Sequence, residues 1–190
     1  MPKHGIFLIR HKRGRKRNMI HYNLVNEYLN DIELPEPMTE VVGASYELEG
    51  KELDFITQAN NFLEHEPIFS SYQKKDVHCL GTCLINLTRT GLYFLLEDEI
   101  MVVHRSILKE GEGEADWEIS HFRFTEIQNL DHEVINGLTE PKYESGALFL
   151  KVLNEKGAVR NHTLRNMNPA HFQCFEDFHV AIKNNRTISK

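Results

Sequence analysis

VHCLGTCLINLTRTGLYFLLEDEIMVVHRSIL, residues 77–108, is the stretch on which the fold turns. Its β-branched and aromatic residues come in three short apolar runs, broken at Arg89-Thr90-Gly91 and again at Glu97-Asp98-Glu99, so it predicts three consecutive strands. Breaks this short connect antiparallel neighbours, because a parallel connection needs a crossover of a dozen or more residues. The stretch is therefore the start of a meander.

Downstream the same texture continues. KEGEGEAD (109–116) reads as a flexible hairpin loop, and WEISHFRFTEIQNL (117–130) alternates Trp117, Ile119, Phe122, Phe124 and Ile127, with a slip at Ser120-His121 that predicts a bulge. GALFLKVL (146–153) and AVRNHTL (158–164) flank Asn154-Glu155-Lys156-Gly157, a hairpin turn. The chain closes on a helix: Asn168 caps it, Pro169 sits in its first turn, and Phe172, Phe175, Phe178 and Ile182 form a stripe. Upstream, Ile20, Leu24, Tyr28 and Ile32 recur every four residues, predicting a helix over 18–32 capped by Asn18 and ended before Pro35. Phe55, Ala59 and Phe62 predict a second over 51–65. MTEVVGASYELEG (38–50) between them reads as an irregular link or a short strand.

Six or seven short antiparallel strands and then one amphipathic helix is the order of a pleckstrin-homology-like barrel. The residues Gly81-Thr82-Cys83-Leu84-Ile85-Asn86-Leu87-Thr88-Arg89, then Gly91-Leu92-Tyr93-Phe94, resemble the opening of bacterial pleckstrin-homology and GRAM-type domains. The resemblance spans about residues 77–185. It implies an α+β fold, a bent antiparallel barrel with a C-terminal capping helix, preceded by a helical region over 18–70 and a basic segment over 1–17. It also implies a binding or assembly module rather than an enzyme, though fold alone does not decide the ligand. Phosphoinositide-binding members of the family carry several Lys and Arg between their first two strands, to pair with phosphates. Here Arg89 stands alone, and the later loop Glu110 to Glu118 is acidic. Protein contact or self-association is what the resemblance then implies.

Charge is divided unevenly along the chain. Lys3, Arg10, Lys12, Arg13, Arg15, Lys16 and Arg17 give residues 1–17 a charge of +7 against a total of −6, so residues 18–190 carry −13. An acidic body repels phosphate backbones and anionic bilayers. Nucleic-acid or anionic-membrane binding therefore falls to residues 10–17, with Lys12, Arg13, Arg15, Lys16 and Arg17 as the polyanion-binding candidates. No aromatic residue interleaves those cations to stack bases, so attachment of this kind is nonspecific. A hydrophobic content of 41% with 26% charge is that of an ordinary globular chain, and no apolar run reaches the roughly 20 residues of a membrane span. The basic residues follow the N-terminal apolar run rather than precede it, which is not the order of a secretory signal. Three cysteines are too few for a disulfide framework, and the expected setting is cytoplasmic.

Two sharper chemistries have partial support in the residues. Leu8-Ile9-Arg10-His11 resembles the nucleophile strand of the histidine phosphatases, but Lys12 stands where that motif has glycine, and a β-rich second half is not the alternating α/β order such an enzyme needs. His78, Cys79 and Cys83 suggest a metal, yet zinc wants two close ligand pairs. Cys174 with His171 or His179 is too scattered to supply the second, so Cys79, Cys83 and Cys174 read as small hydrophobes. His104, His121 and His162 read as strand-surface residues. No catalytic residue, metal ligand or cofactor is assigned.

Overall fold

The computed structural model describes residues 22–50, 53–107, 116–136 and 144–188. The order is α1 (Tyr22–Leu29), β1 (Glu36–Pro37), α2 (Met38–Tyr46), α3 (Asp54–His65), α4 (Phe69–Tyr72), β2 (Asp76–Val77), β3 (Cys79–Ile85), β4 (Arg89–Leu95), β5 (Glu99–Ser106), β6 (Trp117–Arg123), β7 (Ile127–Asn136), β8 (Glu144–Leu153) and β9 (Val159–Met167). A 3-10 turn, Pro169–His171, leads into α5 (Phe172–Ile188). The class is α+β. β1 and β2 make a small two-stranded sheet, and the other seven strands form one sheet in the order β6-β5-β4-β3-β9-β8-β7, antiparallel at every pairing.

The sheet is hinged in the middle. β3 and β9 share the pairs Leu84↔Arg165 and Ile85↔Leu164, and the Asn86 N–H donates to the Thr163 carbonyl at 2.8 Å. Farther along β3 a side chain stands in for the missing strand: Asn26 Oδ1 of α1 accepts from the Thr82 N–H at 2.8 Å and from its hydroxyl at 3.0 Å. A buried N–H left unpaired there would be costly.

The expected barrel is not closed. β6 and β7 are the two ends of the strand order, with no pairing between them among the described residues. α5 serves the start of β7 instead: His179 Nε2 bonds the Ile127 carbonyl at 3.1 Å and Lys183 Nζ donates to the Gln128 carbonyl at 2.9 Å. The same helix buries Phe172 and Phe175, with Phe178 and Ile182 packed on the cluster and Phe124 stacked on Phe178 at 6.5 Å.

Two apolar clusters, one on each face, explain the texture of residues 77–108. Leu80, Leu92, Phe94, Met101 and Val103 face the helices, meeting Val25, Leu29, Val41, Ile56 and Leu63. Cys83, Tyr93, Leu95, Ile100 and Val102 face the other way, toward Leu148, Leu150, Leu164 and α5. Strands covered on both faces read as continuous apolar runs instead of alternating ones.

Several expectations shift. Residues 38–46 are helix, not link, because Met38, Val41, Val42 and Ser45 fall on one buried face. α1 ends at Leu29, and Asn18 lies outside the described residues. The first hairpin turns at Asn86 and Leu87, whose φ values of 47° and 63° and the Thr88 N–H to Ile85 carbonyl bond (3.1 Å) make a type I′ turn. Gly91, read as part of that break, lies inside β4; a Cβ there would meet Val102 Cγ1 at 2.7 Å, so glycine serves close packing rather than turning. β5 and β6 pair without interruption through Ser120 and His121, and the register shift falls at Ile127/Asn129 instead. The turn at 154–157 and the Asn168 cap, which accepts from the Ala170 N–H, form as expected.

Candidate functional site

Glu99 opens β5 at 2% exposure, which is costly for a carboxylate unless it is paired. It is paired. The Tyr72 hydroxyl of α4 donates to Oε1, His121 Nδ1 of β6 lies 3.0 Å from Oε2, and Lys75 Nζ lies 3.7 Å from Oε1. Lys75 also bonds Asp98 at 2.9 Å and sits 4.6 Å over the Tyr72 ring. Burial pushes the Glu99 pKa up, but the hydrogen bonds from His121 and Tyr72 and the charges of His121 and Lys75 together hold it below the ordinary value. Burial, followed by the bond to Glu99, raises the Tyr72 hydroxyl in turn. A carboxylate held ionised with both oxygens engaged has no proton to give. It is an anchor for α4 on the sheet.

On the opposite face of β5 lies a histidine beside a serine. His104, also 2% exposed and so a correction to its expected place on the strand surface, has Nε2 2.7 Å from Ser120 Oγ. In a nucleophilic dyad that nitrogen must accept the serine proton. Here Arg89 Nε donates to His104 Nδ1 at 2.7 Å, so Nδ1 is the acceptor and Nε2 carries the hydrogen. The bond runs from histidine to serine, the reverse of activation. Burial and the Arg89 charge lower the His104 pKa to about 4, and Arg89 is itself held by Glu118 at 2.9 Å.

Of the residues singled out from the sequence, Lys12, Arg13, Arg15, Lys16 and Arg17, with Arg10 and His11, lie outside the described residues. Arg89 is committed to His104 and Glu118. Cys79 and Cys83 are buried and Cys174 is half-buried; burial raises all three thiols, and the Cys79 thiol points to Cys174. Among the described residues no three His, Cys, Asp or Glu side chains converge as metal ligands. His171 bonds the Tyr93 hydroxyl at 2.7 Å, and His179 is spent on Ile127.

What sequence reasoning missed is the edge strand. The alternating stretch 117–130 ends at Leu130, yet β7 runs to Asn136 as the outermost strand. Every second residue of an edge strand turns its N–H and C=O away from the sheet. Leu130 and His132 face inward, His132 against the Phe172 ring at 4.9 Å and Glu176 at 3.1 Å. Asp131, Glu133 and Ile135 share the other face by strand alternation. Val134 and Ile135 are 44% and 40% exposed. Edges are ordinarily blunted by charged side chains, proline or a covering segment; residues 127–136 hold no proline, and their exposed charges are the acids Asp131 and Glu133. The alternation of Asp131, Glu133 and Ile135 was the available signal, too short to stand out. No family model and no curated protein matches the chain.

Proposed function

We propose that the protein is a noncatalytic binding module that acts through protein contacts, and that the outer edge of β7 is where a partner chain adds. The observation that carries this is the run Asp131 to Ile135, whose outer side pairs with no strand among the described residues, with its exposed Val134 and Ile135. Strand addition to such an edge takes affinity from main-chain hydrogen bonds and specificity from alternate side chains. The strand order, with β3 beside β9 and α5 after the last strand, supports reading residues 77–185 as pleckstrin-homology-like in an open form.

A photocrosslinking residue at position 135, with exposed Leu87 as the control, tests the proposal in cells. A discrete protein adduct from 135, absent from 87, is expected. Equal labelling from both positions, or none from 135, rejects it. A second reading, polyanion attachment through Lys12, Arg13, Arg15, Lys16 and Arg17, rests on the +7 charge of residues 1–17. It predicts binding of the intact chain to a nonspecific DNA duplex that falls steeply with salt and disappears when those five residues are made neutral.

A further inference from the structure

Cys79 at the start of β3 and Cys174 in the first turn of α5 meet, and ring contacts on either side fix that meeting. Just before β3, the His78 ring lies 4.7 Å from that of Phe178. Farther on, Tyr93, paired across from Gly81, has its ring 5.8 Å from Phe175 and its hydroxyl 2.7 Å from His171 Nδ1. Contacts therefore step back along the helix, from Phe178 toward His171, as the strand runs from His78 to Gly81. Cys79 falls between those strand positions, and Cys174 lies about one helical turn from both Phe178 and His171. The Cys79 thiol donates to the Cys174 sulfur, and Cys174 packs on the apolar cluster that contains Cys79. Access differs between the two. Cys79 is 6% exposed and Cys174 is half-buried, so a small oxidant in solution meets Cys174 first.

We propose that Cys79 and Cys174 are an oxidation site, joined by a disulfide that a hydroperoxide makes and a thiol reductant reverses, clamping α5 to β3. In the first step the Cys174 sulfur attacks the peroxide. An S–O bond forms, the O–O bond breaks, and the thiol proton leaves with the alcohol (water, for hydrogen peroxide), giving a sulfenic acid. In the second the Cys79 sulfur attacks that sulfur: the S–S bond forms, the S–O bond breaks, and the hydroxyl departs as water with the Cys79 proton. Two thiols thus lose two electrons and one peroxide gains them. Burial raises both thiols, so bridging is slow and answers to sustained oxidant; the hydrogen bond from Cys79 offsets part of this at Cys174, which makes Cys174 the first sulfur to attack. Cys83 is no substitute. It lies four residues along the same strand from Cys79, about 13 Å away, while a disulfide joins Cα atoms no more than about 7 Å apart. The bridge ties the first strand of the seven-stranded sheet to the helix that follows its last strand, closing covalently a sheet whose edge strands do not pair among the described residues.

Hydrogen peroxide applied to the folded full-length chain tests this. After alkylation of the remaining thiols, mass mapping of the digest should show Cys79 joined to Cys174, Cys83 alkylated, and the joined species lost on reduction with dithiothreitol. The same treatment in urea, where all three pairings are open, should scatter the bridges, which separates a positioned pair from chance encounter. The bridged protein should melt about 5–15 °C above the reduced one and exchange its α5 amides more slowly. Cys174→Ser, at the half-buried position, should abolish both changes. Oxidation that halts at sulfenic or sulfinic acid on Cys174, or a Cys174 bridge between two copies, overturns the proposal. So does a folded chain that bridges no more selectively than the unfolded one, or a bridged protein that melts at or below the reduced one.

Discussion

His104 holds no proton on Nδ1 while the chain is folded, and that has a sign. The unfolded chain protonates this histidine near 6.5, whereas the folded chain resists until about 4. Between those values the unfolded state binds more protons, so stability falls as pH drops from 6.5 to 4, by an amount on the order of 3 kcal/mol. His104→Gln offers one acceptor and one donor but does not titrate. Its melting temperature should be flatter than that of the native chain over this window, and equal slopes would show that His104 is not responsible. Glu99 acts lower on the scale. Its folded pKa lies below the ordinary 4.5, so its contribution is complete above that value and is lost as pH falls through the folded pKa. Tyr72→Phe removes one of its donors, at about 1–3 kcal/mol, and lets the carboxylate take up its proton at higher pH. Carboxyl carbon NMR shifts of Glu99 in the two proteins measure the displacement, and an unmoved titration would contradict the network.

Among the elements, α5 depends most on a few rings. Phe172 and Phe175 are buried, so truncating either to alanine should cost about 3 to 5 kcal/mol, with the half-buried Phe178 costing less. Phe172 also explains Gly146 of β8, where a Cβ would run into its ring. Gly146→Ala should therefore cost about 1–3 kcal/mol alone and much less once Phe172→Ala has emptied the space, a coupling that urea unfolding of the four proteins measures. Additive costs would mean that the ring does not set the limit. Elements governed by local chemistry were the legible ones: the apolar runs of β3 to β5, the turn at Asn154 to Gly157, and the α5 stripe behind Asn168. Val41 and Val42 misled because β-branched neighbours favour strands locally, while burial against α3 decides for helix. The Glu99 network was not legible at all. Tyr72, Lys75, Glu99 and His121 come from separate elements, and no periodicity links them.

Across the whole molecule, the helices of residues 22–72 and the sheet share one apolar cluster, so they should unfold together. Trp117, the chain's single tryptophan, reports on that contact, with its ring 5.6 Å from Phe55 and 6.1 Å from Phe62. Its fluorescence and the far-ultraviolet circular dichroism should trace one thermal transition, and Leu63→Ala should move both curves down alike. Separate midpoints would make the helices an independent unit. The two covers of the sheet also differ in when they exist. A chain made from its N-terminus has α1 to α4 in hand before β3 emerges, so the face carrying Leu80, Phe94 and Val103 meets its partner at birth. The face carrying Cys83, Tyr93 and Val102 waits for β8, β9 and α5. At about 5–20 residues per second, the roughly 60 residues from Arg123 to Ile182 take some 3 to 12 seconds to synthesise, and for that interval the ribosome holds a sheet dry on one side and bare on the other.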